Sequence, residues 1–347
     1  MPLPAKRAVT IIDVAKAAGV SFKTVSRVLN NEASVSDRTR EKVQKAIKAL
    51  EYSPSVAARV LAGHRSFLIG LIYDTPSSYY IHSVQMGALE RCRAADYHLI
   101  LERCDSKARG VTDTILSLIK KTRMDGVILT APICDIPAVH EALAKQNIPH
   151  VLVSPPQIKP RMNCVHMDNR QAAAEMTRYL VSLGHRRIGF IKGHPRHGAA
   201  KLRLLGYEDA LRENGIKLDA GLVKDGTFRF ESGVAAAEQL LRQKAPPTAI
   251  VAANDEMGAG VVTAAHRMGL SVPGDVSVAG FDDVPYASIT WPPLTTIHQP
   301  IVEMGAAAAQ ILLDQMRPNG AVPAPEFSAL SFDYTMKIRE STGPVKR

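Results

Sequence analysis

From residue 65 onward the chain repeats one local pattern: a short apolar run, a break, then a stretch with apolar residues at helical spacing. The apolar runs predict strands over 67–73, 98–104, 126–129 and 150–153, separated by helices over 81–95, 112–123 and 136–146. After a break at Pro155, Pro156 and Pro160 the pattern restarts, with helices over 171–183, 199–214, 231–242 and 257–268 and strands over 187–192, 249–252 and 276–280. Strands that are apolar throughout are buried on both faces, and the intervening helices supply the crossovers that parallel strands require. Two such series predict two α/β lobes with parallel sheets and helices on both faces. Ligands of open α/β sheets bind beyond the strand C-termini, here in a cleft between the lobes.

The first 65 residues are of another kind. They carry twelve Lys and Arg against five Asp and Glu, which is seven of the chain's ten net positive charges. A basic head on a nearly balanced body points to a polyanion as the head's partner. No stretch of about 18 apolar residues is present to span a membrane, and the start of the chain lacks the apolar core of a secretory signal. Cys92, Cys104, Cys134 and Cys164 form no close pair, which fits free thiols in a reducing cytoplasm rather than disulfides or a zinc site.

Start and stop signals divide the head into three helices. Thr10 stands as an N-cap with Asp13 three residues on, and Gly19 ends that helix. Ser21 caps a second helix over 22–29 and Ser36 a third, whose Val43, Ala46, Ile47 and Leu50 form an apolar stripe opposite Arg38, Arg40, Lys42, Lys45 and Lys48. The short break between the first two is that of a helix-turn-helix. The second helix turns Phe22, Lys23, Ser26 and Arg27 outward. Lys and Arg can donate to guanine acceptors, Ser can bond phosphate, and an aromatic can cover a thymine methyl. A solvated face on a small bundle would show the same charges.

The residues themselves discriminate further. The run from Val9 through Asp13-Val14-Ala15 and Gly19-Val20-Ser21 to Val25-Ser26-Arg27-Val28-Leu29-Asn30 resembles the DNA-binding head of the LacI/GalR family of bacterial transcription regulators. Asp125-Gly126-Val127-Ile128, Gly184-His185-Arg186-Arg187-Ile188, Ala253-Asn254-Asp255 and Gly280-Phe281-Asp282-Asp283 extend the resemblance over residues 9–340. It implies a helix-turn-helix domain over 8–52, a hinge helix over 53–64, and a periplasmic-binding-protein-like core. The first core lobe would comprise 65–168 and about 297–328, the second 169–296 and about 329–340. The chain would cross between lobes near Asp168, Thr295 and Ala329, with a helix over 301–316 returning to the first lobe.

The resemblance also assigns roles. Phe22, Lys23 and Arg27 would read bases; Thr24, Ser26 and Asn30 would position phosphates or backbone, and Thr10, Ser21 and Ser36 would complete the DNA-binding set. In the hinge, Leu61 would wedge into the minor groove and Ala58 let two hinge helices approach. The partners implied are pseudo-palindromic operator DNA, a second copy of the chain, and a small effector, a sugar first and a purine second. No cofactor or membrane is expected.

Polar and aromatic residues after the predicted strands supply the effector candidates. Carboxylates and Arg suit vicinal hydroxyls, and aromatic faces suit a ring. Asp74 and Ser154 belong to this group; Arg203 and Asp282 lead it by resemblance, followed by Tyr79, Tyr80, Phe228 and Asn254, with Asp168 and Trp291 completing it. Asp255 reads equally as a helix cap. The chain holds no G-x-S-x-G, H-E-x-x-H or Walker motif, so an enzyme is not expected.

Overall fold

A computed structural model describes residues 9–29, 34–52, 65–74, 77–317 and 327–346. Its contacts divide the chain into a head, Met1–Phe67, and a body, Leu68–Arg347.

The head contains α1 (Ile11–Ala18), α2 (Phe22–Leu29) and α3 (Asp37–Ala49). The capping box forms: the Asp13 amide donates to Thr10 Oγ1 at 3.4 Å, and the Thr10 amide donates to Asp13 Oδ2 at 2.8 Å. Gly19 closes α1 at φ 64°, a conformation that strains any residue with a Cβ. Ser21 accepts the Thr24 amide at 3.1 Å. Ser36 departs from expectation: it occupies the N-cap position, but its hydroxyl meets that of Thr39 at 2.9 Å and caps no backbone amide. One fully buried valine from each helix, Val14, Val25 and Val43, meets at the centre. Ala15, Val28, Ala46 and Tyr52 close around them.

The body carries two parallel sheets. The first contains β1 (Leu68–Tyr73), β2 (His98–Arg103), β3 (Gly126–Thr130), β4 (His150–Val153), β5 (Cys164–His166) and β11 (Ala329–Ser331), in the order β11-β5-β4-β3-β1-β2. The second contains β6 (Ile188–Ile191), β7 (Val223–Lys224), β8 (Ala249–Ala252) and β9 (Ser277–Ala279), in the order β7-β6-β8-β9. Antiparallel β10 (Thr296–His298) and β12 (Thr335–Lys337) pair separately. Ala329 corrects an expectation. It does not open the last segment of the second lobe, because Ala329–Ser331 pairs with Cys164–His166 in the first sheet. The final crossing therefore follows Ser331.

Helices cover both sheets. In the first lobe α4 (Ser78–Ala94) lies against α12 (Ile301–Gln315). The two backbones touch because Gly87 faces the Val302 carbonyl and Gly305 faces that of Val84, each leaving no room for a Cβ. Three second-lobe helices matter below: α7 (Asn169–Ser182), α8 (Gly198–Glu213) and α10 (Asp255–Arg267). The second-lobe core runs through Phe190, Tyr207, Leu240, Val251 and Val278. Among the described residues no helix is long and apolar enough to cross a membrane.

Candidate functional site

Two surfaces carry the chemistry the sequence singles out. On the head, α2 buries Val25 and Val28 and turns Phe22, Lys23 and Arg27 to solvent, Phe22 with 57% of its surface exposed. Ser26 and Thr24 are half-buried beside them. A phenyl ring held in water has no packing reason to be there. The first turn of α2 holds no acidic residue, so the positive end of its dipole stays open to an anion. Thr10 and Ser21 spend their hydroxyls on helix caps. Asn30, Ala58 and Leu61 lie outside the described residues.

The second surface is the cleft between the body's lobes. Arg203 projects from α8 and is only 5% exposed, as is Asp282 after β9. Arg203 Nη1 lies 3.3 Å from Asp282 Oδ1 and also donates to the Ala253 carbonyl. Its Nε donates to Asn169 Oδ1 at 2.9 Å. The guanidinium lies over the Phe281 ring, 3.7 Å from its centroid. Gln299 Nε2 donates to Asp282 at 2.5 Å. Burial pushes the Asp282 carboxyl up, while Arg203 and Gln299 pull it back. Such a pair is held by its geometry, since desolvation opposes what the charges gain.

Asn254 spans two elements. Its Oδ1 accepts the Met257 amide at 3.0 Å, capping α10, and its Nδ2 donates to the Phe228 carbonyl at 3.0 Å. Phe228 sits at φ 66°, Asp282 at φ 109° and Ser154 at φ 56°, positions costly for residues with a Cβ. All three lie in segments that follow strands. The Phe228 ring is buried edge-on to His197 at 5.2 Å. From the first lobe, half-buried Tyr80 feels both Arg203 and Asp282, and burial holds its hydroxyl well above the ordinary range. Its oxygen reaches Ser154 at 3.5 Å.

The structure does not bring every candidate here. Tyr79 is exposed and stands edge-on to Tyr286 at 5.2 Å. Asp168 faces solvent and caps α7 through the Gln171 amide at 2.9 Å; its neighbour Asn169 enters the cleft instead. Trp291 is 78% exposed and borders a separate depression with His266, Leu270 and Pro273. Asp255 is buried and accepts from Thr296 and the Val284 amide, which is a structural role. Asn169 and Gln299 are the partners that sequence reasoning missed. Asp135 is a third: its Oδ2 accepts the Gly198 amide at 2.7 Å, tying the first lobe to the start of the helix that bears Arg203. Burial raises this carboxyl to about 6.

Comparison with known proteins finds relatives of both regions of the chain. Residues 10–55 match the family model for bacterial regulatory proteins of the lacI family, and residues 177–342 that for a periplasmic binding protein-like domain. The HTH-type transcriptional regulator DegA of Bacillus subtilis is 36% identical over 299 residues, 86% of this chain and 88% of that protein. The HTH-type transcriptional repressor PurR of Photobacterium profundum is 33% identical over 309 residues, 89% of this chain and 92% of that protein. A lac repressor dimer, solved with operator and the anti-inducer ONPF, superposes with a TM-score of 0.81 at 29% identity, covering 97% of this chain and all of that one. Identity at this level, sustained over most of each relative, places the chain in the LacI family of bacterial transcriptional regulators.

Proposed function

We propose that this chain is a cytoplasmic repressor whose grip on a pseudo-palindromic operator is controlled by a small molecule bound between the body's lobes. The carbohydrate-responsive reading leads, with sugar-catabolism genes as the targets. The buried Arg203–Asp282 pair carries it. An ion pair desolvated beside strained backbone contributes little to folding, yet it offers bidentate donors and acceptors to vicinal hydroxyls. Phe228 covers the apolar face of a ring. Phe22, Lys23 and Arg27 read the operator, and the remaining basic residues of the head supply salt-sensitive attraction to any DNA.

Two copies bind as a homodimer, one head per half-site. The hinge expected over 53–64 lies outside the described residues; its proposed role is that of a segment that folds on the operator, with Leu61 wedged in the minor groove and Ala58 at the helix contact. A segment that orders only on binding bears that entropy cost at binding. An effector that favours one arrangement of the lobes therefore shifts operator affinity without touching α2, which is coupling between two sites. A purine effector is the second reading, supported by the likeness to PurR and by the ring faces of Phe228 and Tyr80.

Fluorescence anisotropy with DNA from upstream of the chain's own gene tests the proposal. Binding at moderate salt that a small molecule then modulates is the expected result. No binding to any such fragment, with or without sugars and purines, rejects it.

A further inference from the structure

The mouth of the cleft differs in charge from its floor. An opening of about 570 Å³ is bounded by Asp74, Arg103, Asp105 and Lys107 of the first lobe and by His194, Arg196, Thr227 and Arg229 of the second. Four cations thus converge against two carboxylates, and both carboxylates are engaged. Asp74 Oδ2 accepts the Ser106 amide at 2.9 Å and its hydroxyl at 2.6 Å, with Arg103 3.8 Å from Oδ1. Asp105 Oδ1 accepts the Lys107 amide at 2.8 Å. Two basic side chains come from each lobe, so like charges face one another across the gap. That arrangement opposes closure when the gap is empty and favours closure around an anion.

Position argues for a ligand rather than for solvated surface charge. Arg103 ends β2, Asp74 follows β1, His194 and Arg196 follow β6, and Thr227 and Arg229 follow β7, all at strand C-termini. Thr227 and Arg229 flank Phe228, and the rings of His194, His197 and Phe228 form an edge-on ladder from mouth to floor, with centroid spacings of 5.3 and 5.2 Å. His194 is pushed below its usual value by burial, then by Arg196 and Lys107, as expected where the local potential is positive.

We propose that the effector is a small hydroxylated anion, a sugar or polyol bearing a carboxylate or phosphate, whose charged end is held by Arg103, Lys107, Arg196 and Arg229. Its hydroxyls meet Arg203 and Asp282, and Phe228 covers its carbon skeleton. This inference rests on the proposed function and narrows its effector class.

Calorimetric titration of the full chain with matched ligands tests it: glucose against gluconate, glucuronate and glucose 6-phosphate; ribose against ribose 5-phosphate; hypoxanthine; and inorganic phosphate alone. The tightest ligand should be an organic anion, at least tenfold tighter than its neutral parent and weakened by salt. The carboxylate and phosphate arms separate the two sources of charge. Arg196→Gln and Arg229→Gln, at exposed or half-buried positions, should each weaken the anion about five- to tenfold with an unchanged unfolding midpoint. A tightest ligand that is neutral and indifferent to both variants overturns the proposal, as does saturable binding of no anion. A neutral ligand that still modulates DNA binding overturns the charge assignment alone. An anion lost in Arg196→Gln from a chain that binds no DNA overturns the repressor reading alone.

Discussion

The head and the body keep their candidate site residues in opposite environments. On α2, Phe22, Lys23 and Arg27 stand in water on a core of seven buried residues. In the cleft, Arg203, Asp282 and Asn254 are sealed in by the second lobe's core and by each other. On the proposed roles, a polymer accounts for the first arrangement: DNA presents charge along its whole length, so exposed, screened cations suffice to attract it. A small molecule accounts for the second on the same proposal. A ligand of a few atoms gains enough only from donors already desolvated and aimed.

The contrast predicts unequal sensitivity, and the largest effect falls in the cleft. Arg203→Ala strands Asp282 without its cation and should destabilise the body by about 3–5 kcal/mol, measured by urea unfolding. The double variant with Asp282→Asn should recover most of that loss. A single variant that unfolds like wild type would show the pair to be more solvated than its burial implies.

A pH profile sharpens the same point. Burial lowers His197 to about 3 from an ordinary 6.5, so the folded chain holds it neutral while the unfolded chain protonates it. Its contribution is complete above pH 6.5 and is lost as pH falls toward 3. His197→Gln should flatten that part of the body's stability profile. Asp135, raised to about 6, acts in the opposite sense: stability declines as pH rises from about 4 to 6. Asp135→Asn should therefore steepen the remaining acid loss.

Exposed positions should behave differently. Lys23→Ala should leave both unfolding transitions in place and relax base preference by about 1–3 kcal/mol at its contacted position, read by anisotropy on single-base operator variants. An equal loss on operator and random DNA would make Lys23 a phosphate contact. Thr10→Ala removes the α1 cap and should cost the head about 1 kcal/mol, with the body's transition unmoved. One shared transition that shifts as a whole would dissolve the distinction between the two regions.

How far the sequence could be read followed the same division. The capping box at Thr10 and Asp13, the stop at Gly19 and the apolar stripe of α3 are local signals, and each formed where the spacing placed it. The longer strands were legible as apolar runs. Strands of two or three residues, such as β7 and β12, leave too short a run for periodicity to register. Arg203 and Asp282 were named from sequence and do meet. Asp168 is a candidate by sequence because a carboxylate suits vicinal hydroxyls; a helix start spends that carboxylate on the Gln171 amide and turns the next residue, Asn169, inward. Trp291 carries no mark in sequence that separates a ring lining a cleft from one facing water.

By itself, the sequence determined the family, the basic head with its three helices, and the alternation that yields two α/β lobes. These rest on neighbours within about one helical turn or on the period of a strand. Only the tertiary structure decided that β11 joins the first sheet, that Asn169 and Gln299 complete the Arg203–Asp282 cluster, and that four cations from two lobes surround one opening. Those arrangements join residues far apart in the chain, and local propensity holds no record of them.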